Sequence, residues 1–103
     1  MFFLEELEKK LNPFFKKHNI IKAIVFGSYA RKTENRKSDL DLILVQKTEK
    51  RFFERYEDII DIYGYLKGIP TDILIYTPEE LSRMSTRPFI RNALEEGVTI
   101  YGD

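Results

Sequence analysis

Two aspartates, Asp39 and Asp41, stand two residues apart at the start of the apolar run LDLILV. Because side chains alternate along a β-strand, this spacing directs both carboxylates to one face of a sheet. Two carboxylates held so close repel each other unless a divalent cation lies between them. Magnesium is the candidate, since the chain has no cysteine and only one histidine to favour a softer metal. The pair alone leaves open a plain polar turn that contains Ser38 and Asp39.

A glycine and a serine, Gly27 and Ser28, end the preceding apolar run. Glycine lets the backbone turn closely around a ligand, and serine adds a hydroxyl group. If a helical turn runs from Ser28 to Arg31, the unpaired N–H groups of that turn would face an anion such as a phosphate. A glycine–serine pair by itself indicates only a turn. Followed after ten residues by Asp39 and Asp41, it predicts an anion-binding turn and a metal-binding pair at matching ends of neighbouring strands.

The elements that must position these residues alternate between helices and strands. Apolar spacing, capping residues and glycine or proline stops predict helices over 3–11, 51–67 and 89–96, a helix that begins at Pro78, and strands over 20–26, 40–45, 71–76 and 98–101. Pro13 interrupts the first helix, so residues 12–17 form either a separate turn or a kinked continuation. This alternation predicts an α/β (α+β) fold with a small sheet of three to four strands flanked by helices. The strand over 20–26 is too apolar for a sheet edge and is predicted to lie in the interior.

Composition limits the classes of protein that the chain can represent. A length of 103 residues predicts one domain over 1–103, and 14% aromatic residues indicate a folded chain. The absence of cysteine, of a signal peptide pattern and of a long apolar run predicts a cytoplasmic protein with no role in a membrane. Seventeen basic and seventeen acidic residues give no general attraction to nucleic acid. The apolar side of the helix over 51–67 faces either the core or a second subunit, so oligomerisation stays open. His18, beside two lysines, is predicted to lie on the surface.

The segment GSYARKTENRKSDLD resembles the signature of the polymerase beta-type nucleotidyltransferases, and in particular of the minimal nucleotidyltransferase (MNT) proteins. The family pattern G-S-x-A-R-G, a variable loop and S-D-x-D is matched at Gly27, Ser28, Ala30, Arg31, Ser38, Asp39 and Asp41. The resemblance covers nearly the whole chain and implies the polymerase beta-like fold with a mixed sheet. Lys32 departs from it, standing where the family has a second glycine, and would cost ~1 kcal/mol in a left-handed backbone. Arg31 is assigned either to a phosphate or to a structural ion pair.

The resemblance also implies a third carboxylate on a neighbouring strand, and Asp72 in TDILIY supplies it. By this resemblance Asp39, Asp41 and Asp72 are the catalytic residues and hold one or two magnesium ions. Gly27 and Ser28 would hold the outer phosphates of a nucleoside triphosphate, for which the family implies ATP. Asp72 would lie nearest the attacking hydroxyl group and assist its deprotonation.

The acceptor of the transferred nucleotide follows from the resemblance alone. MNT proteins resemble, as a group, the antitoxin half of two-gene modules whose partner is a HEPN domain ribonuclease toxin, and some adenylylate a tyrosine of that partner. The leading hypothesis is therefore an antitoxin that transfers AMP to a HEPN protein. Two alternatives stay open: a module that neutralises its partner by contact without turnover, and an enzyme that modifies a small molecule. A chain of this size has little room to build an acceptor pocket for the latter.

Overall fold

A computed structural model describes residues 3–35 and 37–102 of the chain. In these residues the helices are α1 (Phe3–Lys17), α2 (Ser28–Arg31), α3 (Phe52–Asp58), α4 (Ile62–Tyr65), α5 (Pro78–Met84) and α6 (Pro88–Glu96), and the strands are β1 (Ile20–Phe26), β2 (Leu40–Gln46), β3 (Thr71–Tyr76) and β4 (Val98–Tyr101). The predicted alternation is confirmed. In the described part of the chain, no helix combines the length and the apolar character needed to cross a membrane.

The strands form one mixed sheet in the order β3-β2-β1-β4. β1 is antiparallel to both of its neighbours, β2 and β4, whereas β2 and β3 are parallel. A parallel pair needs a crossover connection, and the segment that contains α3 and α4 provides it. β1 lies inside the sheet, as its apolar sequence predicted. A mixed sheet of four strands flanked by helices confirms the predicted fold class.

The two faces of the sheet carry separate apolar clusters, because side chains alternate along each strand. One cluster, on what we call the α1 face, joins the strands to α1, α3 and α4 and contains Leu7, Leu11, Phe14, Phe15, Val25, Leu42, Leu44, Ile59, Ile62 and Ile75. The other, on what we call the α6 face, joins Ile24, Phe26 and Ile43 to Ala93 of α6, with Leu81 of α5 packed against it. Burial of these apolar groups is the main force that holds the helices on the sheet.

α1 is continuous although Pro13 lies inside it. Residues 12–17 therefore continue the first helix and do not form a separate turn. Proline in a helix costs ~3 kcal/mol or more, and the complete burial of Phe14 and Phe15 beside it offsets that cost. Each buried aromatic side chain contributes roughly 2–3 kcal/mol.

The surface position predicted for His18 is wrong. Its side chain is only 10% exposed, its Nε2 lies 3.0 Å from Oδ1 of Asp61, and its ring centroid lies 4.5 Å from that of Phe14. The residue follows α1 directly, where a lysine-rich sequence indicated solvent. It is enclosed because the turn between α3 and α4 passes over it, a contact between distant parts of the chain.

The single helix predicted over 51–67 is also wrong, because the chain forms α3 and α4 with a turn between them. At the turn the N–H of Ile62 bonds the carbonyl of Ile59 at 2.9 Å, three residues back, which is a tighter winding than an α-helix. Two carboxylates at this break have distant partners: Asp58 accepts from Nε2 of Gln46 at 3.1 Å, and Asp61 pairs with His18. Helical periodicity carries no information about such pairings.

A nearly buried arginine, Arg55, connects α3 to α5. Its guanidinium donates two hydrogen bonds to Glu80, at 2.6 and 3.0 Å, and others to the carbonyls of Ile75 and Lys50 at 3.3 and 2.9 Å. The bonds from Arg55 to Glu80 are the largest cause that lowers the pKa of Glu80 to about 2. Glu80 also accepts from the N–H of Thr77, whose hydroxyl caps α5, as the sequence around Pro78 predicted.

Candidate active site

Asp41 and Asp72 are direct neighbours on two adjacent strands. In the parallel register of β2 and β3, Asp41 is the partner of Asp72, and in the antiparallel register of β1 and β2 it is the partner of Phe26. Neighbouring strands lie ~4.8 Å apart, and partners in register direct their side chains to the same face. Both carboxylates therefore lie on the α6 face of the sheet, in the same row as Phe26. The structure brings together the two strands that the sequence assigned to one site.

Asp39 lies one residue before β2 and is exposed, as is Asp72, while Asp41 is half-buried. Burial raises the pKa of Asp41, and the negative charges of Asp72 and Asp39 raise it further. The positive charge of Arg31 opposes this shift. Asp41 is thus the aspartate whose pKa is raised by the negative charges of the other two.

The types of donor atom fit a hard cation such as magnesium, which prefers carboxylate oxygens. A bound cation would also offset the repulsion from Asp72 and Asp39 that raises the pKa of Asp41. Within residues 3–35 and 37–102, however, no group of three acidic or histidine side chains is arranged to hold one ion. The carboxylates would have to turn toward one another around a bound ion. Convergence of Asp39, Asp41 and Asp72 on a metal therefore stays a prediction.

Gly27 provides the space that Asp41 occupies. Its backbone has φ 73° and ψ −151°, a conformation that is almost closed to residues with a side chain. A Cβ atom added to Gly27 would collide with Oδ2 of Asp41. The site requires glycine at this position for two reasons, the backbone conformation and the room for the carboxylate.

The helical turn predicted after Gly27 is present as α2, from Ser28 to Arg31. Its N–H groups at Ala30 and Arg31 both bond the carbonyl of Gly27 at 3.1 Å. The N–H groups of Ser28 and Tyr29 belong to the first turn, where a helix has no carbonyl of its own to offer. These two amides are the ones that could bind an anion.

Lys32 ends α2 in a left-handed conformation, with φ 60° and ψ 37°, and its N–H bonds the carbonyl of Ser28. The position at which the family has a second glycine therefore does need a left-handed backbone. A lysine there costs about 1 kcal/mol relative to an unstrained residue. The cost falls on the loop between α2 and β2.

Arg31 pairs with a residue that had no predicted role, Glu96 at the end of α6. Nη1 of Arg31 lies 3.2 and 3.0 Å from the two carboxylate oxygens of Glu96, and the N–H of Gly27 donates to the same carboxylate at 3.1 Å. The Arg31 guanidinium lowers the pKa of Glu96. These contacts support the structural ion pair for Arg31, and its binding of a phosphate stays a prediction. A signal was present in the sequence, because an acid in the last turn of a helix is disfavoured by the helix dipole unless it has a partner.

The aspartates lie at one end of the strands, and an apolar groove lies at the other. Ile21, Val45, Leu81 and Leu94 are among the residues that line this groove, near the end of the sheet where Ile20 pairs with Gln46. None of the described site residues contributes to it. The candidate site is therefore an open edge of the α6 face and lies outside this groove.

A mixed sheet with a glycine–serine turn beside aspartates on adjacent strands is the arrangement of a nucleotidyltransferase. The chain belongs to the family described as "Polymerase beta, Nucleotidyltransferase", whose model matches residues 9–103. It is therefore a nucleotidyltransferase, as the sequence predicted.

Known proteins of this family give further comparisons. The chain is 33% identical over 103 residues to the Methanocaldococcus jannaschii protein named "Putative protein adenylyltransferase MJ1305", a match that covers 96% of this chain and 67% of that protein. Among solved structures it is similar to a crystal structure of a toxin–antitoxin with AMP-PNP, with a TM-score of 0.69 and 19% identity over 93% of this chain and 73% of that one. A mutant of the toxin–antitoxin MntA-HpeT gives a TM-score of 0.67 and 16% identity over the same shares. At these identities the structures show a shared fold.

Proposed function

We propose that the chain transfers AMP from ATP to a hydroxyl group of a partner protein, and that it acts in this way as the antitoxin of a HEPN domain toxin with a tyrosine acceptor. The observation that carries the proposal is the register of Asp41 with Asp72, beside a glycine whose missing side chain makes room for Asp41. The relative named as a protein adenylyltransferase supports a protein acceptor. The toxin–antitoxin structure with AMP-PNP supports an adenine nucleotide and a partner of this kind.

Asp39, Asp41 and Asp72 would hold one or two magnesium ions, because carboxylates on one side of β2 and β3 supply the oxygen ligands that magnesium prefers. When bound, magnesium neutralises charge on the triphosphate and makes the α-phosphorus easier to attack. The half-buried position of Asp41 suits it to this role, since its negative charge is disfavoured until a cation arrives.

The residues of the chain then bind and orient the reactants. The amides of Ser28 and Tyr29 bind the outer phosphates, and Gly27 lets the backbone approach them. Asp72, the more exposed partner of Asp41, accepts the proton of the acceptor hydroxyl group. The hydroxyl oxygen forms a bond to the α-phosphorus while the bond to the β-phosphate oxygen breaks, and pyrophosphate leaves. Positioning and charge stabilisation account for most of the rate enhancement.

The proposal is tested by transfer of label from ATP to a partner. The chain and magnesium are incubated with the product of the neighbouring gene, as the candidate HEPN partner, and with ATP labelled either at the α- or at the γ-phosphate. We expect label on the partner from the α-labelled nucleotide only, and a mass increase of one AMP on a tyrosine peptide. Label from the γ-phosphate would indicate phosphoryl transfer, and no label from either would contradict the proposal.

Two variants separate catalysis from neutralisation by contact. Asp39→Asn with Asp41→Asn removes two proposed metal ligands with little change in size, and we expect it to bind the partner without modifying or neutralising it. Glu57→Gln, which changes an exposed acid of α3, is the matched control and should retain full transfer. If the double variant still neutralises the partner fully, the chain acts by contact and the enzymatic hypothesis for the antitoxin is wrong.

A further inference from the structure

One carboxylate, that of Glu96, connects two proposed nucleotide-binding groups. It accepts hydrogen bonds from the N–H of Gly27 at 3.1 Å and from the guanidinium of Arg31 at 3.0 Å. Gly27 lies between β1 and α2, Arg31 ends α2, and Glu96 ends α6, which is 65 residues further along the chain than Arg31. These contacts fix the turn and the arginine to the same point of α6.

The backbone that carries Glu96 is itself held firmly against the sheet. The next residue, Gly97, packs so closely on β1 that an added Cβ would meet the side chain of Ile24 and the carbonyl of Ala93. β4 begins directly afterwards and pairs with β1. Glu96 therefore reaches Gly27 from a fixed backbone, which makes it a suitable support for the turn.

We propose that Glu96 is a positioning residue for nucleotide binding, because its carboxylate holds both the Gly27 turn and the Arg31 guanidinium in place. This inference rests on the proposed function of the same site. It assigns Glu96 to binding of the triphosphate, without contact with the reacting atoms. Loss of the residue should therefore weaken nucleotide binding more than it slows the chemical step.

The test measures binding and turnover separately in three variants. Glu96→Ala removes both contacts, and Glu96→Gln keeps an acceptor oxygen for Gly27 but loses the charge. Glu95→Ala is the matched control, because the side chain of Glu95 is 70% exposed and its ion pair with Arg91 is long, at 4.0 Å. The dissociation constant of a non-hydrolysable ATP analogue with magnesium, KM for ATP, kcat and Tm are measured for each.

We expect Glu96→Ala to raise both the dissociation constant and KM about tenfold, because a hydrogen bond to a charged group is lost. kcat should change by less than about threefold, since the group is absent from the chemical step. Glu96→Gln should restore part of the affinity, and Glu95→Ala should equal the wild type in binding. A fall in Tm with unchanged affinity and KM would show a merely structural role and overturn the inference. If the wild type itself binds no triphosphate, both this inference and the proposed function are overturned. If the wild type transfers normally and Glu96→Ala binds the nucleotide with normal affinity, this inference alone is overturned.

Discussion

Replacement of Gly27 by alanine tests the geometry of the site most directly. The backbone at this position has φ 73° and ψ −151°, and a residue with a Cβ is strained there by ~2 kcal/mol. In a chain of this length, each kcal/mol shifts Tm by roughly 4–8 °C. We therefore expect Gly27→Ala to lower Tm by roughly 8–16 °C, measured by circular dichroism.

The same substitution should have a separate effect on activity. The new methyl group would collide with Oδ2 of Asp41, so the carboxylate must move away from its place beside Asp72. A displacement of about 1 Å in a catalytic group can cost on the order of 100-fold in rate. We expect the initial rate of transfer from α-labelled ATP to fall by about this factor at a temperature where the variant is fully folded.

Two other glycines separate strain from collision. Gly68 has φ 83° but open space around a Cβ, so Gly68→Ala should lower Tm through backbone strain alone and leave the rate unchanged. Gly64, inside α4, has neither a positive φ nor a close neighbour, so Gly64→Ala should stabilise the chain by ~0.5–1 kcal/mol. Transfer by Gly27→Ala at the wild-type rate would refute the assignment of this turn to the active site.

Three further predictions concern charge and exposure. Asp41→Asn should raise the Tm of the metal-free protein, measured in a chelator, because burial and the nearby negative charges raise the pKa of Asp41 and its charge therefore opposes folding. The same variant should reduce transfer by roughly 100-fold or more. A lower Tm would contradict the repulsion between Asp41 and Asp72. Glu80→Gln should lower the free energy of unfolding by about 3 kcal/mol at pH 7, because pairing with Arg55 lowers the pKa from 4.5 to about 2. The stabilisation by a carboxyl group with a lowered pKa is complete above pH 4.5 and is lost toward pH 2. Urea titrations should therefore show the free energies of unfolding of the two proteins converging over that range. Phe53→Ser, at a side chain 82% exposed, should change the free energy of unfolding by less than about 0.5 kcal/mol in urea, and a larger loss would show that this ring is covered in solution.

The sequence by itself determined the elements whose signals are local. β1 and β3 have the predicted bounds because short β-branched runs end at glycine or at a capping threonine. The glycine–serine turn and its helical continuation were also predicted, since backbone conformation at a turn depends on a few adjacent residues. The family signature added Asp72, which spacing alone would have assigned to an ordinary strand start.

Tertiary structure decided the features that join distant residues. The break between α3 and α4, the enclosed position of His18 and the contact of Glu96 with Gly27 all depend on side chains more than 10 residues apart. The neighbourhood of Asp41 and Asp72 likewise follows from the order and direction of the strands. Helix and strand periodicity specify which face of an element is apolar, whereas the partner of each polar side chain is set only when those faces have packed.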